Sequence, residues 1–320
     1  MLTSTASQRW VRFSSLQTMT RLASSPFRFK DLPIEVAMRI LALAVTTPAK
    51  LETYRSLARV SRDMRVLVLD VCLQQIPVVL LTLARFQSFC AFIDSNPTAG
   101  PRIRSVWFVA GITAATERTL GLEIVRRCPR IARIGCNINL LKAIVESPSE
   151  FAHHQLKQLT LIEPKIPWQD ILSPPTGRRL FGQLTHLRIA GGTQFDLKVD
   201  FPFASLTHLS FTCHSLDVDL TRRLESTRFP VLQRVVPSLP YMQWRLQNPT
   251  VLRDEGRRMD DRVYVIACPK KWKELDVWEN GGPGERDLWE RAETPEFLQR
   301  SRAFTELPPS RDYFDFSDDF

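Results

Sequence analysis

The residue types that carry out catalysis occur in this chain of 320 residues, but their spacing fits no familiar catalytic site. The motifs of a phosphate-binding loop, a nucleophile elbow and a zinc-protease helix do not occur in the sequence. No histidine stands beside a cysteine or serine in a frame that would activate a nucleophile. The histidines are His153, His154, His186, His208 and His214. The sequence therefore predicts a protein that is not an enzyme and holds no cofactor.

The six cysteines also give little support for metal chemistry. They contain no C-x-x-C pair, and most lie between apolar neighbours, which predicts reduced, buried thiols in an intracellular protein. A zinc ion held by Cys128, Cys136, His153 and His154 is arithmetically possible, but this spacing matches no common ligand frame. We therefore predict no metal site.

Recognition of a partner is suggested by a segment of six residues that recurs along the chain. Its first, fourth and sixth positions are apolar, as in Leu-x-x-Leu-x-Leu, and neighbouring copies begin 22 to 28 residues apart. So even a spacing is not expected of a merely leucine-rich sequence, and it lies in the range of leucine-rich repeats. The copies begin at Ile103, Ile131, Leu156, Leu184, Leu206 and Leu232, and an earlier copy consists of Ile76, Val79 and Leu81.

The third and fifth positions of each copy carry the side chains that could bind a partner. Because side chains alternate along a strand, these positions should share the face opposite the apolar ones. The third-position row is Ser105, Arg133, Gln158, His186, His208 and Arg234, and the fifth-position row is Trp107, Gly135, Thr160, Arg188, Ser210 and Val236. A polar and basic ladder on a concave face predicts recognition of an acidic protein partner, with a merely solvated strand face as the alternative. The candidate partner-binding residues are Trp107, Arg133, Gln158, His186, Arg188, His208 and Arg234.

Connecting elements must fill the intervals between the predicted strands. Apolar spacing predicts helices over 83–93, 117–128 and 139–145, whereas the interval 164–175 is too rich in proline for a regular helix. Strand-plus-connector units of this kind stack into a curved parallel sheet with helices and loops on its outer side. We therefore predict an α/β fold whose main part, residues 76–300, is an irregular leucine-rich-repeat solenoid with a C-terminal cap.

A short helical module precedes the repeats. Pro33 and Glu35 favour the start of a first helix that continues to about Ala44. A second helix is predicted over about 51–60, and Ser61 can cap a third one. Three helices in about 45 residues hold little core of their own, so the module should pack against a partner or against the repeats.

The run Leu32-Pro33-x-Glu35-Val36, followed by Ile40-Leu41 and Val60-Ser61-Arg62, resembles an F-box over residues 29–75. Met64 stands where an F-box usually has tryptophan, and the link between the first two helices is longer than usual. The resemblance implies docking to a Skp-type linker protein of a cullin ubiquitin ligase. The contact residues that it implies are Leu32, Pro33, Ile40, Leu41 and Val60. A plain helical cap on the repeat domain is the alternative interpretation.

The C-terminal part contains a predicted buried strand over 261–268, whose start fits an Asp-x-Arg-Val pattern, then a glycine loop at 281–284 and a predicted helix at 287–292. This order resembles the ends of fungal F-box-like proteins with degenerate leucine-rich repeats. The resemblance implies a segment that caps the solenoid and shields its last open edge. Residues 301–320 are acidic and aromatic, and we expect them to form a disordered tail.

The net charge of +9 is the unusual number in the composition. Five of these charges lie in residues 1–30, which contain no acid, and the other basic residues are scattered. This distribution disfavours nucleic-acid binding, which usually concentrates Lys and Arg on one face. The longest apolar stretch has nine residues, well short of the roughly 18 that a membrane span needs. Residues 1–28 are predicted to be a flexible basic leader, with a mitochondrial presequence as the alternative.

Taken with the resemblance, these features predict the substrate-recognition adaptor of a Skp-cullin-F-box type ubiquitin ligase. Its repeat surface would hold a protein substrate, and the protein would act in the cytoplasm or the nucleus. Two alternatives stay open: a repeat scaffold without a role in ubiquitylation, and a mitochondrially targeted repeat protein.

Overall fold

The strands of the chain form one open parallel sheet. The computed structural model describes residues 29, 32–44, 50–108, 115–147, 154–162, 165–191, 200–213, 215–216, 224, 227–240, 249–268, 274–275, 278 and 288–289. Within these residues, eight strands lie side by side in chain order, each parallel to the next, and the predicted α/β class is confirmed. The predicted leader, glycine loop and acidic tail lie outside the described residues.

Helices connect many of the strands. In a parallel sheet the chain must return to the same end of the sheet before each new strand, and a crossover helix makes that return. A single turn of 3-10 helix, Gly100–Arg102, precedes the second strand. In chain order the elements are α1 (Ile34–Ala44), α2 (Lys50–Ala58), α3 (Arg62–Gln75), β1 (Val78–Leu80), α4 (Leu83–Ser95), β2 (Ser105–Phe108), α5 (Ala115–Arg127), β3 (Arg133–Cys136), α6 (Ile138–Glu146), β4 (Gln158–Ile162), α7 (Trp168–Leu172), α8 (Pro175–Gln183), β5 (His186–Ala190), β6 (His208–Thr212), β7 (Arg234–Pro240), α9 (Pro249–Met259) and β8 (Ile266–Cys268).

The three predicted N-terminal helices are confirmed as α1, α2 and α3. Ser61 caps α3, since its hydroxyl oxygen accepts a hydrogen bond from the backbone N–H of Met64 at 3.1 Å. One detail of the implied linker contact is wrong: Leu41 is 1% exposed and belongs to the main core. Because α1 is apolar on two sides, its sequence does not show which side faces inward.

The predicted register is confirmed from β2 to β7. Third-position residues are Cα partners across neighbouring strands, and so are fifth-position residues. A recurring backbone contact accompanies this register. The second-position carbonyl of one unit accepts hydrogen bonds from two backbone amides of the next unit, those at its second and third positions. For example, the carbonyl oxygen of Lys157 accepts from the N–H of Thr185 at 2.9 Å and from the N–H of His186 at 3.0 Å.

The first unit departs from the predicted register by one residue. Val78, not Val79, pairs with Val106, while Val79 pairs with Trp107. Residues 78–81 are all apolar, so no polar alternation indicates which face each side chain takes. A slip of one residue exchanges the two faces, and Val79 therefore lies on the face opposite the one expected.

The main core lies between the sheet and the helices that cover one of its faces. Fourth- and sixth-position side chains fill it from the sheet, and Phe86 and Phe181 contribute from α4 and α8. Val68 and Val71 of α3 belong to the same cluster. The N-terminal helices and the repeats therefore share one continuous core.

The proline-rich interval contains a helix, α7, and another begins at its end, contrary to the expectation from composition. Pro175 occupies the first turn of α8, where a backbone N–H would have no helical partner in any case. Helix α9 was not predicted either, because its sequence is mostly polar. No helix among the described residues is long and apolar enough to cross a bilayer.

Candidate functional site

The third- and fifth-position rows lie on the face of the sheet away from the main core, and we call this surface the ladder face. Its third-position residues are half-buried, whereas its fifth-position residues are buried. Trp107 is 3% exposed and Arg188 only 5%. Burial of the fifth-position row rules out the alternative of a merely solvated strand face there, whereas binding of a partner by this face stays a prediction.

Five residues near the C-terminal end cover this surface, and we call them the C-terminal anchors. They are Glu274, Leu275, Trp278, Leu288 and Trp289. Leu275 and Trp278 cluster with Trp107 at one end of the ladder face, and the two later anchors cluster with Val236 at the other. The anchors pack on the face of the sheet, whereas β8, which belongs to the same segment, pairs with β7 at its last edge. The implied role of this segment as a cap stays a prediction.

Arg188 lies near the middle of the ladder face and is the buried charge that its cover must satisfy. Its Nε and Nη2 donate to the two carboxylate oxygens of Glu274 at 2.7 and 2.8 Å. Its Nη1 donates to Ser210 Oγ at 2.7 Å, and that hydroxyl donates to the carbonyl oxygen of Val236 at 2.8 Å. Two parallel bonds between a guanidinium and a carboxylate fix both distance and orientation. Glu274 is therefore held by a contact that is specific for an acid.

Two indoles pack together at the end of the ladder face near β1. The ring centroids of Trp107 and Trp278 are 5.2 Å apart. The guanidinium of Arg133 lies 4.5 Å from the centroid of Trp278, and Arg133 Nη2 also donates to the carbonyl oxygen of that residue. Gly135 provides the space, because a Cβ there would lie 2.0 Å from Cε3 of Trp107. Together these residues form a slot for an aromatic ring beside a cation.

Two histidines on neighbouring strands contact the last anchor. The rings of His186 and His208 stack with centroids 4.2 Å apart, and Trp289 meets both edge-on. Thr185 and Thr207 place their hydroxyl oxygens 2.9 and 2.8 Å from Nδ1 of the histidine that follows each. Each hydroxyl donates its one hydrogen to a carbonyl of the preceding unit. We therefore assign a proton to Nδ1 of each imidazole.

Burial is the main reason why the pKa of His186 falls to about 4. The positive charges of Arg133 and Arg234, in the same third-position row, lower this pKa further. His186 is therefore neutral at pH 7 and packs as an uncharged ring against Trp289.

Most of the predicted partner-binding residues are brought together by this arrangement. The candidates that contact the C-terminal anchors are Trp107, Arg133, His186, Arg188 and His208. Gln158 and Arg234 lie half-buried in the same third-position row. The sequence analysis missed the anchors, because Glu274 is 86 positions from Arg188 and no repeat relates the two. The sequence did contain one signal for the anchors. Glu274 and Trp278 are an acid and an indole four residues apart, and they complement the basic and aromatic side chains of the ladder.

Four of the cysteines are buried, and they are Cys72, Cys128, Cys136 and Cys213. Burial raises the pKa of Cys72, Cys128 and Cys136 to about 12, so these thiols stay protonated near neutral pH. His153, one of the possible zinc ligands, lies outside the described residues. Within the described part of the chain, no three His, Cys, Asp or Glu side chains are grouped as a metal ion would require.

No protein-family model matches the chain, and searches of curated proteins and of solved structures likewise find no match. The ladder face and the exposed side of α1 are the features from which its function is inferred below.

Gly135→Ala should destabilise the fold by about 1–3 kcal/mol, because the added Cβ must push the indole of Trp107 away from its position over Gly135. The tryptophan emission should shift to longer wavelength as Trp107 and Trp278 gain solvent. Urea unfolding and fluorescence measure both effects. Gly182→Ala is the matched control, since a Cβ there meets nothing within 4 Å. Equal behaviour of the two variants would contradict the packing described for Trp107.

The free energy of unfolding should decrease as the pH is lowered from about 6.5 to about 4. In this window His186 is neutral in the folded protein and protonated in the unfolded chain, so acid favours unfolding, by at most about 3 kcal/mol. Urea unfolding at a series of pH values, compared with His186→Gln, measures the effect. The variant should lose this part of the pH dependence, and an identical pH dependence in both proteins would contradict the assignment.

Proposed function

We propose that this protein is an adaptor whose N-terminal helices dock onto a Skp-type linker of a cullin ubiquitin ligase and whose repeat domain holds a protein substrate. The observation that carries the proposal is a concentration of exposed apolar side chains on α1, on α3 and in the turn between α2 and α3. Catalysis would belong to the other proteins of the complex, and the adaptor would act in the cytoplasm or the nucleus.

In this proposal the sheet is an irregular leucine-rich-repeat solenoid. It is supported by the spacing of the Leu-x-x-Leu-x-Leu segments and by their burial at the first, fourth and sixth positions. Strands in chain order with helices on one face are also what stacked repeats produce. Such domains commonly use the surface formed by their strands to bind partners.

Large apolar side chains that face solvent are concentrated on the N-terminal helices. In the described chain, six of the nine exposed large hydrophobic residues lie between positions 34 and 66. They are Ile34, Val36, Ile40, Leu43, Val60 and Val66. Exposed apolar surface that is gathered in one module favours an interaction site, whereas single exposed residues need no explanation.

Helix α1 is apolar on two sides, and one side faces the core. Ala37 and Leu41 are buried, whereas Val36, Ile40 and Leu43 recur at helical spacing on the exposed side. A helix that is apolar all round is normally covered on both sides. The exposed stripe of α1 therefore calls for a partner, and the resemblance to an F-box makes a Skp-type linker the partner we propose.

The contact residues implied by that resemblance divide in the structure. Pro33, Ile40 and Val60 are exposed, Ile40 by 44% and Val60 by 67%. Leu32 is half-buried, and Leu41 is internal. The proposed docking surface is therefore the exposed stripe of α1 together with Pro33 and Val60.

A second candidate is a scaffold in which the N-terminal helices only cap the first edge of the sheet. It is favoured by the shared core, to which α3 contributes Val68 and Val71. Asp70 of α3 also forms an ion pair with Arg102, in the 3-10 turn before β2. A cap of this kind explains the position of α3 but leaves the exposed stripe of α1 unexplained.

Binding of the full chain to a purified Skp-type linker tests the proposal. The wild type should bind, and Ile40→Asp should weaken binding at least tenfold, because a carboxylate would have to lose its water in an apolar contact. Titration calorimetry gives both affinities. Val251→Asp is the matched control, since Val251 is an exposed valine on α9.

Failure of the folded wild type to bind the linker would reject the ligase role and leave the scaffold as the function. If Ile40→Asp bound as tightly as the wild type, the exposed stripe of α1 would not be the docking surface. Circular dichroism melting of each protein shows whether it is folded.

A further inference from the structure

The ladder face has the features of a binding site whose present occupant belongs to the same chain. We propose that it binds a peptide of a protein partner in which a carboxylate and an aromatic side chain lie one helical turn apart, and that the C-terminal anchors occupy the site until such a peptide displaces them. This inference rests on the proposed function, in which the repeat domain holds the substrate.

The two faces of the sheet would expose different kinds of side chain to water if the residues that cover them moved away. The side towards the main core is apolar at every fourth position, as at Leu187 and Leu209. The ladder face is apolar at its two ends, around Trp107 and Val236, but it has a polar centre formed by Thr160, Arg188 and Ser210, next to the half-buried third-position row. Water can hydrogen-bond to these groups once the cover leaves, but it cannot stabilise an apolar face. The cover of the ladder face is therefore the one that can be exchanged.

Stability alone does not explain a charge at the centre of this cover. Replacing a buried ion pair by apolar side chains of similar volume is often neutral or stabilising. A bidentate pair adds selectivity, because only a planar acid matches both nitrogens of the guanidinium. Arg188 therefore selects a carboxylate in any chain that lies over it, as it now does with Glu274.

The aromatic half of the site is the slot formed by Trp107 and Arg133 above Gly135, which Trp278 now fills. Buried contacts of tryptophan and arginine are the type that dominates binding energy at protein interfaces. Glu274 and Trp278 are four residues apart, and this spacing puts both side chains on the same face of a helix. The ladder face therefore recognises an acid followed four residues later by an aromatic side chain.

Exchange of the occupant would not disrupt the sheet. All five C-terminal anchors lie outside its strands. They are seated mainly by side-chain contacts, with the bond from Arg133 to the carbonyl oxygen of Trp278 as a backbone contact. A peptide that displaces these five described side chains must replace their contacts, while the hydrogen bonds between strands stay in place.

The probe for this proposal is a fluorescent synthetic peptide with the sequence of residues 270–292, measured by anisotropy against the full chain. Wild-type protein should bind it weakly, because its own anchors compete. Trp278→Ala in the full chain should bind the probe at least tenfold more tightly, since the cis occupant is weakened while the ladder face is intact. Adding Arg188→Gln to Trp278→Ala should reduce this binding at least tenfold.

Glu255→Gln is the control, because Glu255 is an exposed acid on α9, and it should bind the probe as weakly as the wild type. Glu274→Gln, which keeps both indoles, is the second variant and should bind three- to tenfold more tightly than the wild type. The proposal is overturned if the folded variants bind no better than the wild type, or if Arg188→Gln leaves the gain unchanged. It is overturned as well if Trp278→Ala and Glu274→Gln both fail to fold, since the anchors would then be part of the permanent core.

Linker binding by the same proteins separates this inference from the proposed function. A chain that binds the Skp-type linker but never the probe retains the adaptor role and loses the proposed ligand class. A chain that binds the probe in the expected order but not the linker keeps the recognition site and loses the ligase role.

Discussion

A guanidinium buried on the ladder face of the parallel sheet needs a carboxylate partner. This requirement determines how later residues of the chain cover that face. Arg188 is placed there by the alternation of side chains along β5, since its neighbours Leu187 and Ile189 point into the main core. Unpaired, it would be a charge held out of water at a cost of several kcal/mol. Glu274 satisfies it, and the aromatic anchors extend the cover towards both ends of the ladder face.

The N-terminal helices leave apolar side chains exposed, in contrast to the ladder face, which the chain covers. Helix α3 joins the main core and so ties the module to the first strands, whereas the outer side of α1 leaves Val36, Ile40 and Leu43 in solvent. The chain thus covers a polar ladder with its own residues and leaves an apolar stripe exposed. In the adaptor that we propose, the exposed stripe of α1 would bind the ligase and the ladder face would bind the substrate.

How far the sequence predicts this structure depends on the signal that each part carries. From β2 to β7 the third position of each copy is polar and the fourth is apolar, so strand alternation assigns both rows to their faces. In β1 the run 78–81 is apolar throughout, and the predicted register slipped by one residue. Leu41 was misassigned for a similar reason, because α1 is apolar on two sides. The contact between Arg188 and Glu274 is long-range and not periodic, so the repeat pattern does not indicate it.

A double-mutant cycle between Arg188 and Glu274 tests most directly the central claim that a specific acid closes the ladder face over its buried cation. The unfolding free energies of the wild type, Arg188→Gln, Glu274→Gln and the double variant give the coupling between the two side chains. We expect a coupling of about 1–3 kcal/mol, because the pair is bidentate and the guanidinium is buried. Losses that add within about 0.5 kcal/mol would mean that the two residues act independently, and would contradict this account of the ladder face.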